Sequence, residues 1–430
     1  MYILCVREAH TQDIVSLFPR LPFVQGSLLY KEIIDYNLAV KRDFLSHMNS
    51  RERMLTTLNH HEPDRVPYDL ASTQVTGIQI KAYRRLREAL GLLPVEVQIY
   101  DHIQQLALPD EDVMQQLSVD TRGLFALNSH NWQVNAIDGG DHWIYYDEWG
   151  ITHHMLKPDE QFYSIVEVPL PDLSVTAADI KNHPWPNLAD PQRIAGLREL
   201  AEKYRAADYL IVMKHPFAGI FEMSQRIVGM VNCLMLMSLD EQLIGVLFDK
   251  MLELKLSFWE MALPQLGDVV DVISYADDYG TNESQLISPK MFREQIKPRL
   301  KILFNRIREL APHVKLFFHS DGNLRPILPD FIELGVDILN PVQFTATGME
   351  LTALKRDFGR DFVFWGGGVN TTGVLPFGTP QEVKDDVRRN IDALASGGGF
   401  VFNTVHNILM DVPPENIIAM WEALQEYGLY

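Results

Sequence analysis

Two short stretches and two separate histidines carry the residue types best suited to chemistry. His319 and Asp321 flank Ser320, so in an extended chain their side chains point the same way. A third donor from another strand would complete a three-ligand site with open positions, the arrangement a catalytic zinc needs, and His406 is the candidate. The alternative is that His319 and Asp321 only hydrogen-bond to a substrate or to each other. Asp277 and Asp278 are adjacent, so in a strand they face opposite ways and at most one lines a cavity. That one would be an acid or a substrate anchor with a raised pKa, while the other caps a helix or accepts backbone N–H groups. His215 is a further candidate proton donor. Asp69, Arg122, Asn340, Gln343, Asn370 and Asn403 stand at or near the ends of apolar runs as candidate substrate contacts.

The elements that must hold these residues are legible as apolar runs separated by helical patterns. Residues 65–70, 121–127, 209–215, 268–275, 314–318, 336–342, 362–365 and 399–402 read as strands, most of them apolar on both faces, as buried parallel strands are. Eight such strands with helices between them predict an α/β fold, a (β/α)8 TIM barrel, with the polar strand ends gathered at one mouth. Ser50 is the expected cap of a helix over 51–58. Ser288-Pro289 opens a helix that runs to about Leu310 and bends at Pro298. Thr379-Pro-Gln-Glu382 is a capping box ahead of the stripe Val383, Val387, Ile391 and Leu394. Pro413-Pro-Glu-Asn416 opens the last helix. The segment 130–170 breaks the alternation. Its aromatic-rich part, Gly139 to Gly150, predicts a β-hairpin or small meander inserted after strand two, either a lid or rim over the mouth or a hairpin packed on the barrel's side.

Composition narrows the classes. The chain has 430 residues, 47% hydrophobic, and a net charge of −19, which argues against a nucleic-acid surface. Two cysteines, Cys5 and Cys233, cannot build a disulfide framework, so a reducing cytoplasm is expected. No apolar run reaches the roughly 18 residues of a membrane span, and no signal peptide is read. Residues 1–47 hold no period and read as a loose, dispensable extension, or as the product of a start misassigned ahead of Met48. A homo-oligomer is compatible with everything above.

Several ordered motifs resemble one family. Arg51-Glu-Arg-Met54 through His61-Glu-Pro-Asp-Arg-Val-Pro67 is similar to the opening of the uroporphyrinogen decarboxylase superfamily. So are Ala276-Asp-Asp-Tyr-Gly280 with Ile287-Ser-Pro289, and His319-Ser-Asp-Gly-Asn323 with Leu339-Asn-Pro-Val-Gln343. Phe364-Trp-Gly-Gly-Gly-Val-Asn370 and Pro414-Glu-Asn-Ile417 complete the match, over about residues 48–430. The resemblance implies a (β/α)8 barrel with its site at the C-terminal mouth. Porphyrinogen decarboxylases carry an Arg-rich segment that grips substrate carboxylates. The corresponding region here, Tyr68 to Gln74, has no arginine.

The other branch is the cobalamin-linked methyltransferases. Its coenzyme M enzymes hold zinc through His-x-Cys and a later Cys, which fall on His319, Asp321 and His406. Both cysteines are replaced, yet both replacements are zinc ligands. The resemblance therefore implies a zinc with a His2Asp set, a stronger Lewis acid than a thiolate site. It implies methyl transfer from a small methylated substrate, an O-methyl group being the best match. The acceptor would be cobalt of a separate corrinoid protein, since this sequence lacks the Asp-x-His-x-x-Gly cobalamin signature. The runner-up is a metal-free lyase or decarboxylase acting on a small carboxylated substrate.

Overall fold

Strands buried on both faces need helices on the outside, and this chain supplies them in alternation. The computed structural model describes residues 48–157 and 161–430. The expected extension 1–47, with Cys5, lies outside the described residues. In chain order the elements are α1 (Ser50–Leu58), α2 (Ile80–Ala89), β1 (Ile99–Asp101), β2 (Leu106–Ala107), α3 (Glu111–Gln116) and β3 (Thr121–Leu124). There follow β4 (Ala136–Asp138), β5 (His142–Tyr146), β6 (Thr152–Leu156), β7 (Ser164–Glu167), α4 (Ala177–Asn182), α5 (Leu197–Ala206) and β8 (Leu210–Lys214). Next come α6 (Ile220–Val228), α7 (Met230–Leu239), α8 (Glu241–Leu266), β9 (Val272–Ala276), α9 (Pro289–Met291) and α10 (Lys297–Leu310). The chain ends with β10 (Lys315–His319), α11 (Leu328–Glu333), β11 (Ile338–Asn340), α12 (Leu351–Phe358), β12 (Val363–Trp365), α13 (Val374–Phe377), α14 (Pro380–Leu394), β13 (Phe400–Val401) and α15 (Pro414–Tyr427).

Seven strands form one parallel sheet in the order β13-β12-β11-β10-β9-β8-β3. The sheet curls into a TIM-barrel-like form. Its two edges are bridged by residues 67–69: Phe402 N–H donates to Pro67 O, Asp69 N–H to Phe402 O, and Asp120 N–H to Tyr68 O. The segment expected as the first strand is thus reduced to isolated bridges, because Pro67 has no N–H to give a ladder. Leu210, Val212, Val272, Phe317, Ile338, Val363, Trp365 and Val401 fill the inside of the curl. Met54 and Leu58 of α1 join that cluster. Arg51 fixes α1 at the end where the strands begin, through its N–H to Asp208 O and its guanidinium to Asp271. Buried Asp120 takes both Arg53 and Arg65 there.

The helix boundaries follow local chemistry. Asn49, not Ser50, caps α1, in a capping box with Glu52. The Thr379 capping box opens α14 as expected. The helix expected from Ser288-Pro289 to about Leu310 is present without a gap, and its irregularity lies just before Pro298. Ser288 caps α9, residues 292–296 form a π-helical segment, and α10 continues from it with Pro298 as its second residue. Between β3 and β8 the chain forms a separate four-stranded antiparallel sheet, β4-β5-β6-β7, a meander larger than a single hairpin. Among the described residues no single helix is long and apolar enough to cross a membrane.

Candidate metal centre

Alternation along the parallel strands decides what reaches the interior. Leu210 and Val212 of β8, Val272 of β9 and Phe317 of β10 all point inward. Counting on by twos brings Lys214, Asp278, and His319 with Asp321 to the same side at the carboxyl ends of the strands. Ligands of open and closed parallel sheets bind at this end.

There His319, Asp321 and His406 converge, each offering one donor atom, with all three atoms within 4.8 Å of one another. Nε2 of His406 lies 3.9 Å from Oδ2 of Asp321, and the two imidazole centroids are 5.4 Å apart. A chain of hydrogen bonds sets the tautomer of His319. The carbonyl of Trp365 can only accept, so Asn340 turns its Nδ2 toward it at 2.7 Å. Asn340 Oδ1 then faces His319 Nδ1 at 2.6 Å, which makes Nδ1 the protonated nitrogen. Nε2 is left with its lone pair toward the cavity, as a metal-ligating histidine requires. Gly366, with φ of +100°, leaves room for this arrangement, because a Cβ there would lie 3.1 Å from Asn340 Nδ2. Asp321 Oδ1 is buried with no partner among the described residues. Burial lowers the pKa of His406, against the pull of Asp321, which favours the neutral, ligating form. Two imidazole nitrogens and one carboxylate, with an orphaned oxygen on it, fit zinc.

Asp278 stands beside this group. Its Oδ1 is 3.9 Å from His319 Nε2 and accepts the Asp321 N–H at 2.9 Å. Burial pushes its pKa up to about 7, opposed by the nearby imidazole of His319. Asp278, His319 and His406 line one cavity of about 750 Å³. Lys214 of β8, Glu222 and Arg226 of α6, and the aromatic rings of Tyr100, Phe125 and Phe217 form other parts of its wall. Tyr145 of β5 also reaches it, so the antiparallel sheet forms part of the rim. Tyr145 is clamped between His102, Trp132 and Tyr163. Of the other aromatic residues in 130–170, Trp149 packs against Trp185 and Phe217, and Tyr146 is 51% exposed.

Residues 211–427, just over half of the chain, match the family model for uroporphyrinogen decarboxylase (URO-D). The chain belongs to the uroporphyrinogen decarboxylase family. A uroporphyrinogen decarboxylase from Methylococcus capsulatus is 26% identical over 167 residues, 38% of this chain and 44% of that protein. The match therefore spans less than half the length of that relative. Among solved structures, a methyltransferase from Methanosarcina mazei superimposes with a TM-score of 0.56 at 18% identity, over 89% of this chain and 99% of that one. At that identity the likeness is one of fold.

In this URO-D family member the remaining candidate residues lie off the cavity wall. Asp277 points outward and is fully buried. It accepts the N–H groups of Phe221 and Glu222 at the start of α6, and the hydroxyls of Tyr275 and Tyr279. Burial pushes its pKa up to about 6 despite those donors. His215, one residue past Lys214, also points outward, against Trp259 and Tyr275, with Lys255 Nζ 3.4 Å from its Nδ1. Burial moves its pKa well down. Asp69 takes Thr121 Oγ1 and Trp365 Nε1 deep in the curl, and Asn403 donates to Asp69 O. Arg122, outward in β3, pairs with Glu111 and lies over the Tyr209 ring. Asn340 orients His319. Gln343 Oε1 accepts the Gly322 N–H and so braces the turn after Asp321. Asn370 Oδ1 caps its own turn, taking the N–H groups of Thr372 and Gly373. Lys214, Glu222, Arg226 and Tyr100 escaped the sequence reading. For Lys214 a signal existed: it has the parity of Val212.

Proposed function

We propose that this chain is a methyltransferase that moves a methyl group from a small O-methylated substrate to the cobalt of a partner corrinoid protein. One observation carries the reading: three donor side chains, two from the end of β10 and one from beyond β13, converge on one point beside a carboxyl group at the cavity. The fold shared with a methyltransferase from Methanosarcina mazei supports it. The finer architecture we propose is a (β/α)8 barrel with the antiparallel sheet as an insertion at its mouth.

His319, Asp321 and His406 would hold zinc, which when bound supplies a Lewis acid toward the ether or alcohol oxygen. The corrinoid supplies the methyl acceptor. The chain's own residues do the rest. Asn340 fixes the imidazole of His319 so that one nitrogen always faces the cavity. Asp278, held 3.9 Å from that imidazole, is placed to deliver a proton to the leaving oxygen. Tyr100, Phe125 and Phe217 supply apolar walls that exclude water from the reacting carbon.

A second reading is a lyase acting on a small carboxylated substrate, and the likeness to the Methylococcus capsulatus decarboxylase favours it. The test is methyl transfer from a panel of methoxylated compounds to cobalt(I) cobalamin, followed by the absorbance change at cobalt. Transfer by zinc-loaded protein, lost in His319→Ala, is the expected result. No transfer from any donor, with carbon dioxide released from a carboxylated substrate instead, would replace this reading by the second.

A further inference from the structure

The cavity wall carries three cationic side chains, and they are not equivalent. Arg193 is closed: it donates twice to Glu148 and once to Asn187 O, and its guanidinium lies over the Phe217 ring. Arg226 donates to Glu222 one turn away at 2.5 Å, and its other N–H groups have no protein acceptor among the described residues. Lys214, inward at the end of β8, has no hydrogen-bond or ion-pair partner among the described residues. The charges around it are Asp101, Glu222 and the like-charged Arg226. Asp101 is engaged with Gln104, through the backbone N–H at 2.9 Å and Nε2 at 3.4 Å.

Two half-buried cations facing one cavity with unused donors are costly unless an anion completes them. A guanidinium offers parallel N–H groups that match a carboxylate, and an ammonium adds a point charge with three donors. Neighbouring Tyr100, Phe125 and Phe217 suit a flat ring, and about 750 Å³ is room for one with small substituents. We propose that Lys214 and Arg226 form an anion subsite that binds a carboxylate on the substrate. The substrate class is then a methoxylated aromatic carboxylic acid, its carboxylate on Lys214 and Arg226 and its ether toward His319, Asp321 and His406. The position of the ether rests on the proposed function; the carboxylate subsite does not.

Calorimetric titration with 2-, 3- and 4-methoxybenzoate and with their uncharged methyl esters tests the subsite without turnover. At least one acid should bind at least about tenfold more tightly than its ester, the effect of a charge-assisted hydrogen bond. Lys214→Met and Arg226→Met should each weaken the acid by about tenfold to a hundredfold. Ester binding and zinc content should stay unchanged, which also shows that the cavity is intact. Acids binding no better than esters, or not at all, overturn the subsite, as does unchanged acid binding in both variants. Acids that bind tightly but never methylate cobalt(I) cobalamin leave the subsite standing and count against the methyltransferase reading.

Discussion

Two clusters of ionisable side chains lie back to back across β8, β9 and β10, and their difference is instructive. Lys214, Asp278 and His319 face the cavity; His215, Asp277 and Lys255 sit in the layer between the strands and α8. In the outer cluster the donors and acceptors of Asp277 and Lys255 are spent, while His215 Nε2 has no hydrogen-bond partner among the described residues. Asp277 takes two backbone N–H groups and two tyrosine hydroxyls, and Lys255 donates to Ala218 O and lies over the Tyr275 ring. On the inner side, Asp321 Oδ1, next to His319, has no partner among the described residues, and His319 Nε2 lies 3.9 Å from Asp278 Oδ1. Adjacent residues of the same chemical type therefore have opposite roles. Asp277 and Lys255 build the wall, while Asp278 and Lys214 stand in what it encloses. Even Gly219 belongs to the wall, since a Cβ there would lie 2.1 Å from Asp277.

The sharpest way to break this comparison is to remove each aspartate in turn. Asp277→Ala strands two backbone N–H groups and two hydroxyls in the interior, and should destabilise by about 3 kcal/mol or more in urea unfolding. Asp278→Ala should change stability by about 1 kcal/mol or less, but lower methyl transfer on the order of a hundredfold, the scale of a lost general acid. The reverse pattern would exchange the roles of the two clusters.

A smaller effect separates holding a ligand from being one. Asn340→Leu removes the acceptor that fixes His319 while leaving all three donor residues in place. Zinc affinity should fall by about tenfold to a hundredfold, read from competition with a chelator of known affinity. Affinity equal to that of the parent protein would mean that the hydrogen bond to Asn340 does not prepare His319 for a metal.

The last effect is a pH slope. Burial lowers the Lys255 pKa to about 7, with Asp277 pulling the other way. Between that value and the ordinary lysine range, the unfolded chain binds the proton that the folded chain has released. This group's contribution to stability therefore rises as pH goes from about 7 toward 10, by at most about 1.4 kcal/mol per pH unit. Below pH 7 both states are protonated and the contribution is flat. The stability of the parent relative to Lys255→Met should thus improve from pH 7 to pH 9.5. A difference that does not vary over that window would show Lys255 to be charged throughout.

Much of this was legible in the sequence, for reasons that differ by residue. His319, Asp321 and His406 stood out through spacing and family motif, and the structure brings them together. The parallel strands were legible because apolar runs buried on both faces are long and β-rich. The same property hid their orientation: with hydrophobic residues on both sides, hydropathy does not say which face is inward. His215 was therefore chosen where Lys214 faces the cavity. Arg122, by the same parity, faces outward to Glu111. Glu222 and Arg226 were invisible for another reason: they come from α6, whose start is placed by Asp277 and not by any feature of α6 itself. Residues 136–167 carried hairpin chemistry locally, but their joining into four strands depends on pairings that no turn signal specifies.

Zinc stoichiometry tests the central claim most directly. Parent protein equilibrated with zinc and passed through a desalting column should retain about one zinc per chain by elemental analysis. His406→Ala, with unchanged circular dichroism, should retain almost none. Parent protein that emerges free of zinc, or His406→Ala that keeps it, would contradict the assignment of His319, Asp321 and His406 as a metal centre.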